Sequence, residues 1–184
     1  MMNLIDKEDV ILNKVCTPFD FNDPIMDPYD LVKELQDVRR NNNGVGLAAS
    51  QVGIDTRVMV IGMGDFVSEG VEDFAKCFFN PSIDWSQMET DIPDNKKLYM
   101  IEGCLTYPRL FVKIKRVGNI ILEWYTEEGT KCLDTFSGIT SRIVQHEVDH
   151  LNGITFNKRA NPYHLDKAKR DLKKRNRLIN KQMD

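Results

Sequence analysis

Between residues 29 and 40 the apolar side chains Leu31, Val32, Leu35 and Val38 recur at three- and four-residue steps, which predicts an amphipathic helix. Pro18, Pro24 and Pro28 among Asp and Asn predict an irregular lead-in to it. Asn41-Asn42-Asn43-Gly44 predicts its end, because asparagine and glycine tolerate left-handed backbone. Short apolar runs follow. Residues 57–62 and 77–81 predict buried-type strands, the second ended by Pro81, and the polar stretches 63–76 and 84–97 predict loops. Residues 119–125 and 130–136, on either side of Glu127-Glu128-Gly129, predict a hairpin. A second helical stripe comprises Ile139, Ile143, Val144, Val148 and Leu151, with Ser137 available as N-cap and Gly153 as a stop. It is apolar over so much of its circumference that a buried helix is expected. Leu165, Ala168, Leu172 and Ile179 predict a terminal helix with one apolar edge over residues 164–184.

The buried helix carries the chemistry. Within Gln145-His146-Glu147-Val148-Asp149-His150 two imidazoles lie one helical turn apart on one face, where both can ligate one metal ion, and Glu147 is close enough to act on water at that ion. The chain has only three histidines, and two of them are here. Ionisable side chains on a buried helix need partners, and a metal ion is the simplest partner for two histidines. A catalytic site of this kind has three protein ligands and one open position, so a third ligand must come from elsewhere in the chain.

Composition narrows the classes. A chain of 184 residues is long enough for a substantial core and predicts one domain over 1–184. A formal net charge of −3 argues against a general nucleic-acid binder, and no apolar run approaches membrane-spanning length. The N-terminal residues lack the order of a signal peptide, so a cytoplasmic location is expected. Cys16, Cys77, Cys104 and Cys132 have no close-paired spacing, which predicts free thiols or ligands rather than disulfides. Cys104 follows Gly103 in Glu102-Gly103-Cys104-Leu105, and a thiolate with two imidazoles makes a three-ligand set. The run 44–53, Gly-Val-Gly-Leu-Ala-Ala-Ser-Gln-Val-Gly, makes a weak phosphate loop, since no Gly-Lys-Ser/Thr follows and no strand clearly precedes it, which leaves two readings. It is a glycine-rich turn into a strand, or a place where an extended ligand backbone approaches closely with Gln51 offering an amide to a developing oxyanion.

Three segments in this order, Gly-Val-Gly-Leu-Ala-Ala-Ser-Gln, Glu-Gly-Cys-Leu and Gln-His-Glu-Val-Asp-His, resemble those that mark the peptide deformylases. The resemblance extends to about residue 157. It implies an α+β fold, with antiparallel strands packed around a central metal-binding helix and a C-terminal helix. It also implies removal of the N-formyl group from the formylmethionine of newly synthesised proteins, with release of formate. By matching position, Cys104, His146 and His150 would hold one divalent ion, Fe2+ by preference with Zn2+, Ni2+ or Co2+ as other occupants. Glu147 would activate the metal-bound water that attacks the formyl carbon, while the Gln51 side chain and the Leu105 N–H would stabilise the oxyanion. Val45, Gly46 and Gly103 would pair with the backbone of the N-formylmethionyl substrate as an added strand.

Some positions depart from the family's commonest pattern. Thr106 stands where serine is usual, and Phe111 where many members have an arginine near the peptide. Residues 63–100 are longer than in compact members, which predicts a surface insertion. Arg116 is expected to pair with Asp149. Lys167, Lys169, Arg170, Lys173, Lys174, Arg175, Arg177 and Lys181 give the terminal helix a basic face, which is either simply solvated or suited to ribosomal RNA phosphates. Two other classes share parts of this pattern. A two-histidine, one-glutamate helix alone also serves a metallopeptidase, and a structural-metal or ribosome-binding domain would have no need of Glu147.

Overall fold

The computed structural model describes residues 2–62, 75–85 and 99–183. The first long helix, α1 (Pro28–Asn41), is started by Asp27, whose carboxylate accepts the N–H groups of Tyr29 and Asp30 at 3.0 and 3.2 Å, with Pro28 in the first turn. It ends as expected among asparagines, with Asn43 in the left-handed region at φ 52°. Among the described residues seven strands follow: β1 (Gly46–Ala48), β2 (Val58–Gly62), β3 (Ala75–Asp84), β4 (Tyr99–Cys104), β5 (Tyr107–Lys115), β6 (Asn119–Tyr125) and β7 (Lys131–Ser137). Helix α2 (Gly138–Leu151), the short α3 (Phe156–Arg159) and α4 (Pro162–Met183) complete the order.

All strand pairs are antiparallel, in a five-stranded sheet ordered β1-β2-β3-β6-β7 and a separate β4-β5 hairpin. Side chains alternate across β2 and explain why it is apolar throughout. Val58 and Val60 face Leu31, Leu35 and Val38 of α1, whereas Met59 and Ile61 join Val144, Val148 and Leu151 of α2 on the other face. The sheet is thus covered by a helix on each side, and α2 lies buried as its apolar circumference predicts. From Ser141 onward every side chain of α2 is buried. The β4-β5 hairpin builds a third core, in which Leu110, Val112 and Ile114 of β5 pack on Phe156 and on Leu165, Ala168 and Leu172 of α4.

Three expectations change. Strand β3 does not stop at Pro81 but runs to Asp84. Asn80 takes a positive φ of 48° at an irregularity in the β3-β6 register, and a bulge is where a strand tolerates a proline. Residues 99–115, to which the sequence assigned no element, form a hairpin. Ser137 sits at the N-cap of α2, yet its side chain makes no capping bond. Gly153 does end α2, at φ 68°, with its N–H donating to the His150 carbonyl at 3.1 Å. The long loops predicted at 63–76 and 84–97 lie mostly outside the described residues, as does the proposed insertion, apart from the ends that belong to β3 and β4.

The C-terminal end of α2 is also tied to the start of the chain. Cys16 N–H donates to the Leu151 carbonyl at 2.9 Å, and Val15 bridges Asn152.

Candidate metal centre and its cleft

Helix α2 presents His146 and His150 one turn apart, with ring centroids 5.0 Å from each other. Cys104 arrives from the end of β4, where a tight turn pairs it with Tyr107, and its Sγ lies 3.2 Å from His150 Nε2. The three residues offer donor atoms that all lie within 4.8 Å of one another. The arrangement brings together the ligand set that the sequence named.

The donor chemistry fits a divalent ion. His146 Nδ1 lies 3.1 Å from Glu102 Oε2, and because a carboxylate can only accept, Nδ1 carries the proton and Nε2 keeps its lone pair for a cation. Burial pushes the Cys104 thiol up, but its interactions with His150 and His146 outweigh it and hold the thiol well below its ordinary value. The site therefore favours a thiolate, the form that binds metal. His150 is fully buried and its Nδ1 has no hydrogen-bond partner, so its orientation rests on packing.

Around the donors lies a buried network of charge. Glu102 accepts from Arg116 at 3.0 Å through both Nε and Nη2, from Arg142 Nη1, and from His146. Burial alone would raise the Glu102 carboxyl, but these bonds hold it far below the usual carboxylate range. Arg116 also donates to Asp149, the expected ion pair, and Asp149 takes a second guanidinium from Arg159 Nη2 at 2.6 Å. The sequence did not single out Glu102, Arg142 or Arg159 as supports. Glu102 stood in plain view beside Cys104, whereas the two arginines carry no local signal and meet their carboxylates only through the fold.

Glu147 projects from the same helix into a tight space. One of its oxygens, Oε2, is buried without a hydrogen-bond partner, and burial raises its carboxyl above the ordinary value. Its room is provided by Gly46 on β1, where a β-carbon would lie 2.3 Å from Glu147 Oε1. Leu105, in the turn after Cys104, is similarly accommodated by Gly44, where a β-carbon would lie 2.7 Å from Leu105 Cδ1.

Gln51 sits on a short 3-10 turn, Ala49–Val52, that follows β1. Its Oε1 accepts the Ala48 N–H at 2.9 Å, which leaves Nε2 pointing toward Cys104 Sγ at 3.5 Å and Thr106 Oγ1 at 3.1 Å. The amide is thus aimed donor-first at the centre, and Thr106 supplies the hydroxyl that receives it. Just before β1 the Val45 carbonyl is taken by the Gly62 N–H at 3.0 Å. By the alternation of an antiparallel edge, Gly46 turns its backbone groups outward instead. Buried Arg39 steadies this corner, donating from Nη1 to the Gly44 carbonyl at 2.8 Å.

These parts enclose a cleft of about 570 Å3 lined by Val45, Gly46, Gln51, Gly103, Cys104, Leu105, His146 and Glu147, with His150 behind it. Ile101, Phe111 and Ile139 expose apolar side chains along its lining.

A family model described as polypeptide deformylase matches residues 1–166. The peptide deformylase of Brachyspira hyodysenteriae is 33% identical over 143 residues, 78% of this chain and 73% of that protein. The one from Rhizobium meliloti is 31% identical over 169 residues, 92% of this chain and 87% of that protein. Among solved structures, a peptide deformylase from Synechococcus elongatus in complex with actinonin is similar at a TM-score of 0.75 and 25% identity, covering 91% of this chain and 85% of that one. A class I type b peptide deformylase from Acinetobacter baumannii is similar at 0.69 and 30% identity, covering 85% and 97%. The family match spans most of the sequence, and the α+β fold with its antiparallel sheets and C-terminal helix agrees with it: the chain belongs to the polypeptide deformylase family.

Proposed function

We propose that the cleft between β1, the β4-β5 turn and α2 is where this deformylase works, with Cys104, His146 and His150 holding one divalent ion. Members of the family remove the N-formyl group from newly synthesised proteins, and this chain is one of them. The observation that carries the site reading is the unpartnered Glu147 Oε2, buried beside the cluster of three donors. A buried carboxylate oxygen without a bond is costly unless a ligand or reactant completes it.

A divalent ion held here supplies Lewis acidity, making water more acidic and drawing electrons from a carbonyl. Glu147 accepts a proton from water at Oε2 as the water oxygen attacks the formyl carbon. Its raised pKa suits the return of that proton to the amine nitrogen when the C–N bond breaks, which leaves formate and a free N-terminus. Gln51 Nε2–H and the Leu105 N–H donate to the oxygen as its negative charge grows. Gly46 and Gly103, with Val45 beside them, receive the peptide backbone as an added strand. Fe2+ is the native ion in this reading; thiolate and imidazole donors also accept Zn2+, Ni2+ and Co2+. Neither a peptidase nor a structural-metal domain accounts as well for Gln51 and Glu147 converging on one cluster.

We also assign residues 1–184 to one catalytic unit acting in the cytoplasm, and the basic face of α4 to the ribosome. No helix among the described residues is long and apolar enough to cross a membrane. Beyond Leu172 the side chains of α4 up to residue 179 are exposed, and Lys173, Lys174 and Arg177 face solvent there. Leu165, Ala168 and Leu172 belong to the β5 core, so the ribosome assignment is tested by Lys173→Glu, Lys174→Glu and Arg177→Glu together rather than by deleting the helix. Co-sedimentation with ribosomes that does not fall in this variant, or does not depend on salt, rejects it.

The deciding assay measures formate release from a formyl-Met-Ala-Ser peptide by anaerobically purified protein and its Glu147→Gln variant, with metal content determined on both. Loss of formate from a variant that keeps its metal supports the roles given to the cluster and to Glu147. Equal rates would reject them.

A further inference from the structure

Phe111 is a large apolar side chain, 52% exposed, on the lining of the cleft. An exposed aromatic ring on a strand that otherwise alternates buried Leu110, Val112 and Ile114 with charged residues has no role in the core. Its place is nevertheless defined. On one strand it lies against Gly103, where a β-carbon would come within 2.9 Å of Phe111 Cε1. From α4 the Arg175 guanidinium sits 5.8 Å from the ring centroid, within cation–π range. Arg175 also donates from Nη2 to the Arg109 carbonyl at 2.9 Å. Arg109 is itself in the left-handed region at φ 65°, an unfavourable conformation for a residue with a β-carbon, and this bond helps to hold it. The terminal helix thus reaches past its own packed face to brace the two residues that start the outward run of β5. Ile101, which shares the hairpin face with Phe111 through its pairing with Lys113, and Ile139 across the cleft on α2 extend the apolar lining.

We propose that Phe111 is a specificity-determining residue that receives an apolar side chain of the formylated peptide downstream of its methionine, and that Arg175 of α4 is the positioning residue for its ring. The inference rests on the deformylase site proposed above. A peptide laid along Gly46 and Gly103 passes Phe111 beyond its methionine, because a β-carbon on Gly103 would fall 2.9 Å from the ring. An apolar side chain there would cover part of the ring and of Ile101, and a polar one would leave both exposed.

The test compares kcat/KM for formyl-Met-Ala-Leu and formyl-Met-Ala-Ser peptides in wild type, Phe111→Ala, Arg175→Ala and Arg175→Lys. Wild type is expected to prefer the leucine peptide by about tenfold, on the order of one partly buried aliphatic side chain. Phe111→Ala should reduce the ratio to near one. Arg175→Ala should lower it severalfold through KM for the leucine peptide, with kcat unmoved, and Arg175→Lys should restore part of it by keeping the cation. A ratio near one in wild type, or an unchanged ratio in Phe111→Ala, overturns the specificity role. An unchanged ratio in Arg175→Ala overturns the positioning role. No formate from either peptide overturns the deformylase site as well, so the two failures are distinct.

Discussion

Gly46 and Glu147 share one space: a β-carbon on the glycine would fall 2.3 Å from Glu147 Oε1, 2.7 Å from its Cδ and 2.8 Å from its Cγ. Neither backbone on β1 nor the buried helix α2 can give much, so the carboxylate must move. Gly46→Ala should therefore reduce formate release by about 100-fold, the scale of a small misplacement of a reacting group, while metal content stays at the wild-type level. Unchanged turnover would mean that Glu147 has slack which the packing does not suggest.

Glu102 orients His146 and is itself held by two arginines. Glu102→Gln keeps the shape and removes the charge, leaving the imidazole without its carboxylate acceptor. Metal affinity is expected to fall by about 10- to 100-fold, the usual cost of losing such a support, and competition with a chelator of known affinity measures it. Affinity equal to wild type would place the orientation of His146 on packing alone.

Asp149 is 4% exposed and binds two guanidiniums. Asp149→Ala strands the buried Arg116 head between one remaining carboxylate and an apolar gap, so a loss of about 3–5 kcal/mol is expected. Arg159→Ala removes a partner whose side chain is 44% exposed and should cost about 1 kcal/mol or less. Urea denaturation of both variants separates the two, and similar losses would contradict the ranking.

Asp134 accepts from Lys76 Nζ at 2.7 Å and from Trp124 Nε1 at 3.1 Å, and the lysine bond chiefly holds its carboxyl below the ordinary 3.8. A depressed carboxyl contributes stability that is complete above the unfolded value and is lost as pH falls through the folded one. The advantage of wild type over Asp134→Asn should therefore be constant at pH 5 and above and shrink below about pH 4. Denaturation midpoints read by tryptophan fluorescence check this. An advantage that grows on acidification would reverse the sign and exclude the ion pair as its source.

The two candidate histidine donors were legible before the fold because metal chemistry compresses them into a short spacing. His146, Glu147 and His150 need only one helix, whereas Cys104 taken alone reads as a buried thiol and becomes a candidate donor only when set beside that helix. The β2 and β6-β7 strands were legible for a similar reason, since each is a continuous or alternating run bounded by turn residues. The β4-β5 hairpin was not. Its alternation of Leu110, Val112 and Ile114 with Arg109, Phe111, Lys113 and Lys115 is regular, but its partner β4 carries Glu102 and Gly103, which suit a site better than a strand. Asn80 shows a different limit. A proline after a strand reads as its end, and only the register with β6 reveals a bulge that the chain passes through. The contact of Arg175 with Phe111 joins residues far apart in the chain, and no local spacing announces it.

The bond from Cys16 to Leu151 and the bridge from Val15 to Asn152 have a consequence for how the enzyme comes into being. The segment that fastens the base of the histidine helix is synthesised well before the helix it fastens. Contacts of such long range close late, because the loop between them must be ordered first. Until the helix is made, the early segment waits without its partner and two of the three candidate metal donors do not yet exist. Loading of an ion at the proposed centre therefore has to follow completion of the helix rather than accompany the chain's growth.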